Sequence, residues 1–417
     1  LNKHVIDDAS RCLQCGNPMC IQGCPVNTPI KEAIRLLLNS DVEQAGKILF
    51  ENNPLSLVCC HVCPQENQCE GHCVLGKKST PVQISAIEQY ISDYYLSIQK
   101  PRASAKTTGK VAIVGSGPAG ITIAFLLAQK DYDVTVFEGN SRIGGILRYG
   151  IPEFRLPKRV LDRLLDTLLS YGVKFRPNTQ IGTSITIEEM FRDGYNAIFI
   201  GTGVWRPLKL NIKGESLGHV HYAVEYLREP DSYHLGNSLV IIGAGNAAMD
   251  VARTALRQGV KNVVVVCNRG ESTVTARKTE LQYAKIEGVR FLFNKTAVEF
   301  AEGGVIFADS KVCIDECGYE TAEPIAGTEQ LMEADSAIIA ISQGPKNVIV
   351  SSTEGLRTSN AGLVVTDDCG RTTKKGVFAS GDVVTGAKTV VEAVRVSKRV
   401  AEAIDEYCGS GRWENEG

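Results

Sequence analysis

Nine of the fourteen cysteines fall between Cys12 and Cys73, and none lies between Cys73 and Cys267. The first group reads Cys12-x2-Cys15-x4-Cys20-x3-Cys24-Pro25, and the second reads Cys63-Pro64 followed by Cys69 and Cys73. Thiolates at such gaps converge from compact loops onto iron–sulfur cubanes, and in two-cluster ferredoxins the cysteine before proline serves the other cluster. The two groups are therefore expected to interleave around two clusters. Structural zinc favours paired short knuckles and disulfides need an oxidising compartment, so both fit this spacing less well; free buried thiols are the remaining bland alternative.

Two cubanes take eight ligands, and the spacing supplies seven cysteines. The last place falls to Cys59, Cys60 or a non-cysteine group. In the segment from Ile84, the residues Ile84, Glu88, Ile91 and Tyr95 repeat at helical spacing, which puts the Glu88 carboxylate on an apolar face. An unpaired charge there is costly, and an iron would satisfy it. The competing reading has Glu88 snorkelling to the helix edge or pairing with a lysine. Gln89 points to the polar side and is the weaker candidate.

A second kind of chemistry is written in glycines. Strand-like VAIVG runs into Gly115-x-Gly117-Pro118-Ala119-Gly120, and the next strand, DVTVF, ends at Glu138. That is a complete dinucleotide fingerprint, with glycines for the turn and the pyrophosphate approach and an acid for the ribose hydroxyls. The pattern recurs at SLVIIG, where Gly243, Gly245, Asn246 and Ala247 lead to Ala248 in the third glycine's place. After its second strand, NVVVVC, the acid is missing and Asn268-Arg269 stands instead; a cation there suits a 2′-phosphate. Arg277 and Lys278 follow, equally explained as a solvated basic face. Two such sites suggest flavin in the first and a nicotinamide dinucleotide in the second. Near the end, VFASGD closes on Gly381-Asp382 and leads through Lys388 and Thr389 into an amphipathic helix whose N-terminus can face the flavin. The plainer role for Asp382 is a helix-entry cap. Cys313-x3-Cys317 lies in a polar segment and reads as incidental, so no redox cysteine pair stands beside the flavin and electrons are expected to leave through the cysteine head.

The elements that must hold these residues follow from periodicity. Thr28-Pro29 before Ile30, Ala33, Ile34, Leu37 and Leu38 predicts a helix with Thr28 as N-cap, a second is predicted from Asp41, and a third from about Ile84 to Ile98. The head is thus expected to be all-helical, with the clusters on its loops. The uncharged run from Val111 to Ala128 approaches bilayer length, but its glycines and proline divide it into a buried strand and helix, so no membrane span is expected. Forty-five basic against 47 acidic residues leave a net charge of −2 with no basic stripe, which argues against nucleic acid as a partner. The first fifteen residues lack the marks of a secretory signal, and a cytoplasmic location is expected.

Taken together, the cysteine head, GSGPAG, GGILRYGIPEFRLPK, GAGNAAMD and SGDVVTGAKTVVEAV resemble the glutamate synthase small-subunit family over nearly the whole chain. The same module resembles the N-terminal part of dihydropyrimidine dehydrogenase, its separate bacterial subunit, and the large subunit of the electron-bifurcating ferredoxin:NADP oxidoreductase. The resemblance implies a helical domain with two [4Fe–4S] clusters followed by two Rossmann-like α/β domains, the NAD(P)H domain inserted into the FAD domain. The corresponding extents are 1–103 for the head, 104–235 with 346–408 for FAD, 236–345 for NAD(P)H, and a tail at 409–417. It implies Cys12, Cys15, Cys20 and Cys73 on one cluster and Cys24, Cys63, Cys69 and Glu88 on the other, with Gly144, Gly145 and the Tyr149–Pro152 turn along the flavin. Arg269 matches the second of two arginines that relatives use for the 2′-phosphate, while Asn268 replaces the first.

The activity so implied is hydride transfer from NADPH or NADH to FAD, then single electrons through the clusters to a partner subunit docked at the head. The flavin does the chemistry, so no side-chain acid or base is expected. No glutaminase nucleophile or flavin barrel is present, which assigns the final reaction to another polypeptide. A glutamate synthase large subunit is the first expectation, and a pyrimidine-reducing or bifurcating flavoprotein the next. A cofactor-bearing regulatory subunit without turnover, and a zinc-headed flavoprotein reductase, are the rivals.

Overall fold

A computed structural model describes residues 3–99, 106–314, 320–411 and 413. The expected head boundary near residue 103, Cys317 and most of the last residues of the 409–417 tail lie outside the described residues. Among the described residues of the head, every regular element is helical. Asp41 accepts the Gln44 N–H at 3.2 Å and opens the Val42–Asn52 helix, while Ile84–Ile98 has the expected bounds. One start differs: Pro29, not Thr28, is the N-cap of Ile30–Leu38, because the Thr28 hydroxyl lies 3.1 Å from the Cys24 sulfur instead of capping. A helix over Ser56–Val62 was not anticipated. Its first five residues are all buried, so no polar face marks its period. Ala9, Ile34, Leu37, Ala45, Leu49 and Ile91 form the head core.

The chain divides into two compact units: residues 1–148, 153–204 and 344–417, and residues 149–152 and 205–343. The first contains both the cysteine head and a five-stranded parallel sheet. Its strand order is Val377–Ala379, Ala197–Ile200, Lys110–Val114, Asp133–Phe137, Lys174–Arg176. A parallel sheet covered on both faces requires apolar strands, and VAIV and AIFI are accordingly buried. The Pro118–Gln129 helix packs along Val390–Ser410, so the C-terminal helix covers the first fingerprint's own helix. The head is bound to this body by apolar and polar contacts. Phe50 meets Phe125 edge-on at 5.2 Å, Arg163 pairs with Asp93 at 2.5 Å, and Ser56–Val62 packs against Val390–Ser410.

The second unit has its own parallel sheet, ordered Val220–Tyr222, Ser336–Ile339, Ser238–Ile242, Asn262–Val266, Arg290–Leu292. An antiparallel set, Lys295–Ala301, Gly304–Ile314, Glu320–Pro324 and Gln330–Glu333, follows the last two-strand repeat. The main segment of this unit begins at 205 where the sequence placed the domain from 236, because Val220–Tyr222 pairs with Ser336–Ile339 at the sheet edge. A three-residue strand ahead of the fingerprint carries too little alternation to be read. As expected, the second unit is inserted between two segments of the first. Among the described residues, no helix is long and apolar enough to cross a membrane.

Candidate functional site

The loops between head helices bring the cysteines together in two sets. Cys12, Cys15, Cys20 and Cys73 line one hollow, with Leu13, Met19, Lys31 and His72 also on its wall. Burial pushes the Cys20 thiol up to about 11, and the neighbouring sulfurs of Cys73 and Cys12 add to this. Each of these four cysteines keeps partial exposure.

The other set is deeper. Burial raises the Cys24 thiol, and the charge of Glu88 raises it further against the Thr28 hydrogen bond. Cys63 is raised by its hydrogen bond to Cys59, by burial, and by Cys59, Glu88 and Cys69; Cys69 is raised by burial and then by Glu88, Glu70 and Cys24. Cys24, Cys63, Cys69 and Glu88 therefore sense one another, while Cys20 senses Cys12 and Cys73. Glu88 as a residue keeps intermediate exposure, yet its carboxyl is enclosed: burial, then the charge of Glu70, pushes it up to about 8. Glu70 itself is held by the Ser85 N–H at 2.8 Å and hydroxyl at 2.6 Å.

These donors fit clusters. Buried thiols and a buried carboxyl raised by one another form a set that is stable as anions only around positive charge. Among the described residues, no three His, Cys, Asp or Glu converge for a single metal ion. Of the two spare cysteines, Cys60 donates its S–H to the Leu57 carbonyl at 2.9 Å and burial holds it far above the usual thiol range. Cys59 is different. Its sulfur accepts from Asn53 Nδ2 at 3.3 Å and touches Cys63, so it stays a neighbour of the second set.

In the body of the first unit, four loops converge. Gly117 caps the Pro118–Gln129 helix, and a Cβ on Gly120 would lie 2.0 Å from the Gly115 carbonyl oxygen, so only glycine lets helix and turn close. Gly144 donates its N–H to the Ser116 carbonyl at 3.0 Å, and a Cβ on Gly145 (φ +51°) would meet the Gly117 Cα at 2.9 Å. Ala119 abuts Gly381, whose added Cβ would be 3.0 Å from that of Ala119. The helix N-terminus is thus left open to backbone approach by a pyrophosphate. Buried Glu138 accepts from the Ser116 N–H (3.0 Å) and hydroxyl (2.5 Å) on one oxygen, and from the Asn140 N–H and side-chain amide (2.8 Å each) on the other. It braces the glycine loop, and a ribose would share these oxygens. Asp382 accepts the Lys388 N–H at 3.2 Å, and burial pushes its carboxyl up to about 6. Thr389 accepts the Glu392 N–H and caps the C-terminal helix; Lys388 is exposed. Sequence reasoning missed Ser116, Asn140 and the Gly201-Thr202-Gly203 turn, whose first carbonyl lies where a Gly115 Cβ would fall. A buried strand, AIFI, running straight into G-T-G was the available signal.

The second unit repeats the turn. Gly243 has φ +116° against +99° for Gly115, and Gly245 caps the Asn246–Arg257 helix, with Ala247 half-buried in its first turn. Asn246 accepts the Arg277 N–H at 3.0 Å, joining the fingerprint to the start of Lys278–Ile286. Asn268 is exposed, and Arg269 faces Glu320 at 3.6 Å. The helix is anchored by Arg253 and Arg257, which hold Glu287 at 2.9 and 2.7 Å.

Comparison with known proteins agrees with this geometry. Residues 1–100 match the family described as dihydropyrimidine dehydrogenase domain II, 4Fe-4S cluster, and residues 109–397 match pyridine nucleotide-disulphide oxidoreductase. The chain is 32% identical to the glutamate synthase [NADPH] small chain of Escherichia coli (strain K12), over 95% of this chain and 90% of that protein. It is also 32% identical to the NAD-dependent dihydropyrimidine dehydrogenase subunit PreT of the same organism, covering 97% and 94%. Among solved structures, FprA from Mycobacterium tuberculosis superposes with a TM-score of 0.65 at 18% identity, covering 73% of this chain and 85% of that one, which shows the shared fold of the body. The chain, an NAD(P)H-dependent flavin and iron–sulfur oxidoreductase, belongs to the glutamate synthase small-subunit family.

Proposed function

We propose that this chain is the electron-input subunit of a larger enzyme, taking electrons from NADPH in preference to NADH and delivering them through two [4Fe–4S] clusters in a fixed order. When bound, FAD accepts hydride from the nicotinamide and the clusters carry its electrons singly. The chain's residues supply the rest. The 115–120 turn, Glu138, Gly144, Gly145, Gly381 and Asp382 hold the flavin nucleotide, and Gly243, Gly245, Asn246, Ala247 and Arg269 hold the nicotinamide one. Cys24, Cys63, Cys69 and Glu88 carry the inner cluster, and Cys12, Cys15, Cys20 and Cys73 the outer one.

One observation carries the order: Cys63 and Cys69 of the inner set are buried beside the helices that pack on the flavin-binding body, whereas all four cysteines of the outer set keep partial exposure and line an open hollow. A relay built that way receives on one side and exits on the other. The outer hollow is then the docking face for a partner. By likeness to its relatives, that partner is a glutamate synthase large subunit; the match to PreT along nearly its whole length makes a dihydropyrimidine-reducing partner the second reading. The thiolates also require a reducing compartment, in keeping with the cytoplasm. Analysis of anaerobically purified protein tests the reading: about eight irons and eight acid-labile sulfides per chain are expected. About four irons, or tightly held zinc, would overturn it.

A further inference from the structure

Lys398 is a half-buried cation on the Val390–Ser410 helix of the flavin-binding body. Its ammonium reaches into the head, where it donates to the Asn52 carbonyl at 2.9 Å and to Asn52 Oδ1 at 3.1 Å. Asn52 is the last residue of the Val42–Asn52 helix, the end at which carbonyl dipoles favour a positive charge. To accept this bond, Asn52 turns its amide oxygen toward Lys398 and leaves its own Nδ2 buried without a partner. A charge-assisted bond offsets that loss where a neutral one would not. The next residue, Asn53, reaches the other way and donates to Cys59 beside Cys63. Asn52 and Asn53 therefore stand between the ammonium and Cys59, and Glu402 follows one turn along the same helix.

We propose that Lys398 tunes the reduction potential of the inner cluster, acting as a fixed positive charge delivered from the flavin-binding body to the head. The proposal rests on the assignment of Cys24, Cys63, Cys69 and Glu88 to that cluster. A cubane gains one negative charge on reduction, so a nearby cation, poorly screened because it is half-buried, favours the reduced form. The same ammonium that seats the head on the body thereby makes the first acceptor easier to reduce only when the two are correctly joined.

The test uses the cluster-loaded protein and redox titrations followed by electron paramagnetic resonance. The inner cluster is the one whose signal changes in Glu88→Ala. In Lys398→Gln, the reduced-to-oxidised ratio of that cluster at a fixed potential is expected to fall about tenfold, equivalent to about 59 mV for one electron. The outer cluster should move far less, and Lys398→Arg should restore most of the shift. Asn52→Asp, which keeps the lysine and adds a compensating negative charge, should lower the same potential and serves if the Gln variant loses its clusters. Two intact clusters with neither potential changed, or both changed equally, would overturn the proposal while leaving the ligand assignment standing. Iron content short of two cubanes in the unaltered protein, or a Glu88→Ala variant in which neither signal changes, would instead remove the assignment and the proposal with it.

Discussion

Glu88 and Cys59 stand on two helices, and under the proposed ligand set Glu88 rather than Cys59 completes the inner cluster. Glu88 acts electrostatically on Cys24, Cys63 and Cys69, whereas Cys59 is drawn into bonds with Asn53 and Cys63. Glu88→Ala is therefore expected to disturb one cluster and spare the other and the FAD, read by iron content and paramagnetic resonance. Cys59→Ala and Cys60→Ala should be milder; loss of a cluster in either, with Glu88→Ala harmless, would reverse the assignment. Arg269 is the matching case for the nicotinamide. Its link to Glu320 is long and exposed, so it is free to be exchanged for a 2′-phosphate at little cost. Arg269→Ala should weaken NADPH by about 1.5–3 kcal/mol and leave NADH nearly unchanged in equilibrium binding. Equal losses for both would show that Arg269 does not read the phosphate.

Helices and strands present the functional residues, and most were legible because their burial is periodic. The Ile84–Ile98 helix, the two glycine turns and the strands before them each carry a strong local pattern. The edge strand Val220–Tyr222 and the Ser56–Val62 helix do not, since three residues, or a helix whose first five residues are all buried, leave no helical or strand period to read. The bracing of Glu138 by Ser116 and Asn140 was also hidden, because it depends on loops meeting across the fold. One element-level prediction concerns the helix of the second fingerprint. Glu287, gripped by Arg257 and Arg253, is held down at about 2 from an ordinary value of 4.5. Its folded-state value is depressed, so its contribution to stability is present above about pH 4.5 and is lost as pH falls toward 2. Glu287→Gln should lower stability in urea by about 1 kcal/mol at pH 7 after allowance for solvent screening, with the difference from the parent shrinking below about pH 4.5. A difference independent of pH would assign the loss to packing instead.

At the scale of the whole molecule, a nicotinamide fold is inserted into a flavin fold, and the head carries two cysteine sets that differ in exposure. Cysteine spacing and glycine turns declared the cofactors in the sequence, but the proposed order of the clusters rests on the contacts of the head with the body through Phe50, Asp93 and Asn52, which no local pattern announces. The chain holds a donor site and a relay, and the reading assigns the final substrate to a partner, so the isolated protein should reduce artificial acceptors with NAD(P)H yet form no glutamate from 2-oxoglutarate and glutamine. Completion of that reaction by the chain alone would refute the subunit reading. The most direct test of the central claim is rapid anaerobic mixing of the loaded protein with NADPH, with flavin absorbance and freeze-quenched cluster signals followed together. The account predicts that the flavin bleaches first and that reduced-cluster signal then grows as flavin colour partly returns; a flavin that NADPH does not bleach, or clusters that stay oxidised while the flavin remains reduced, would contradict it.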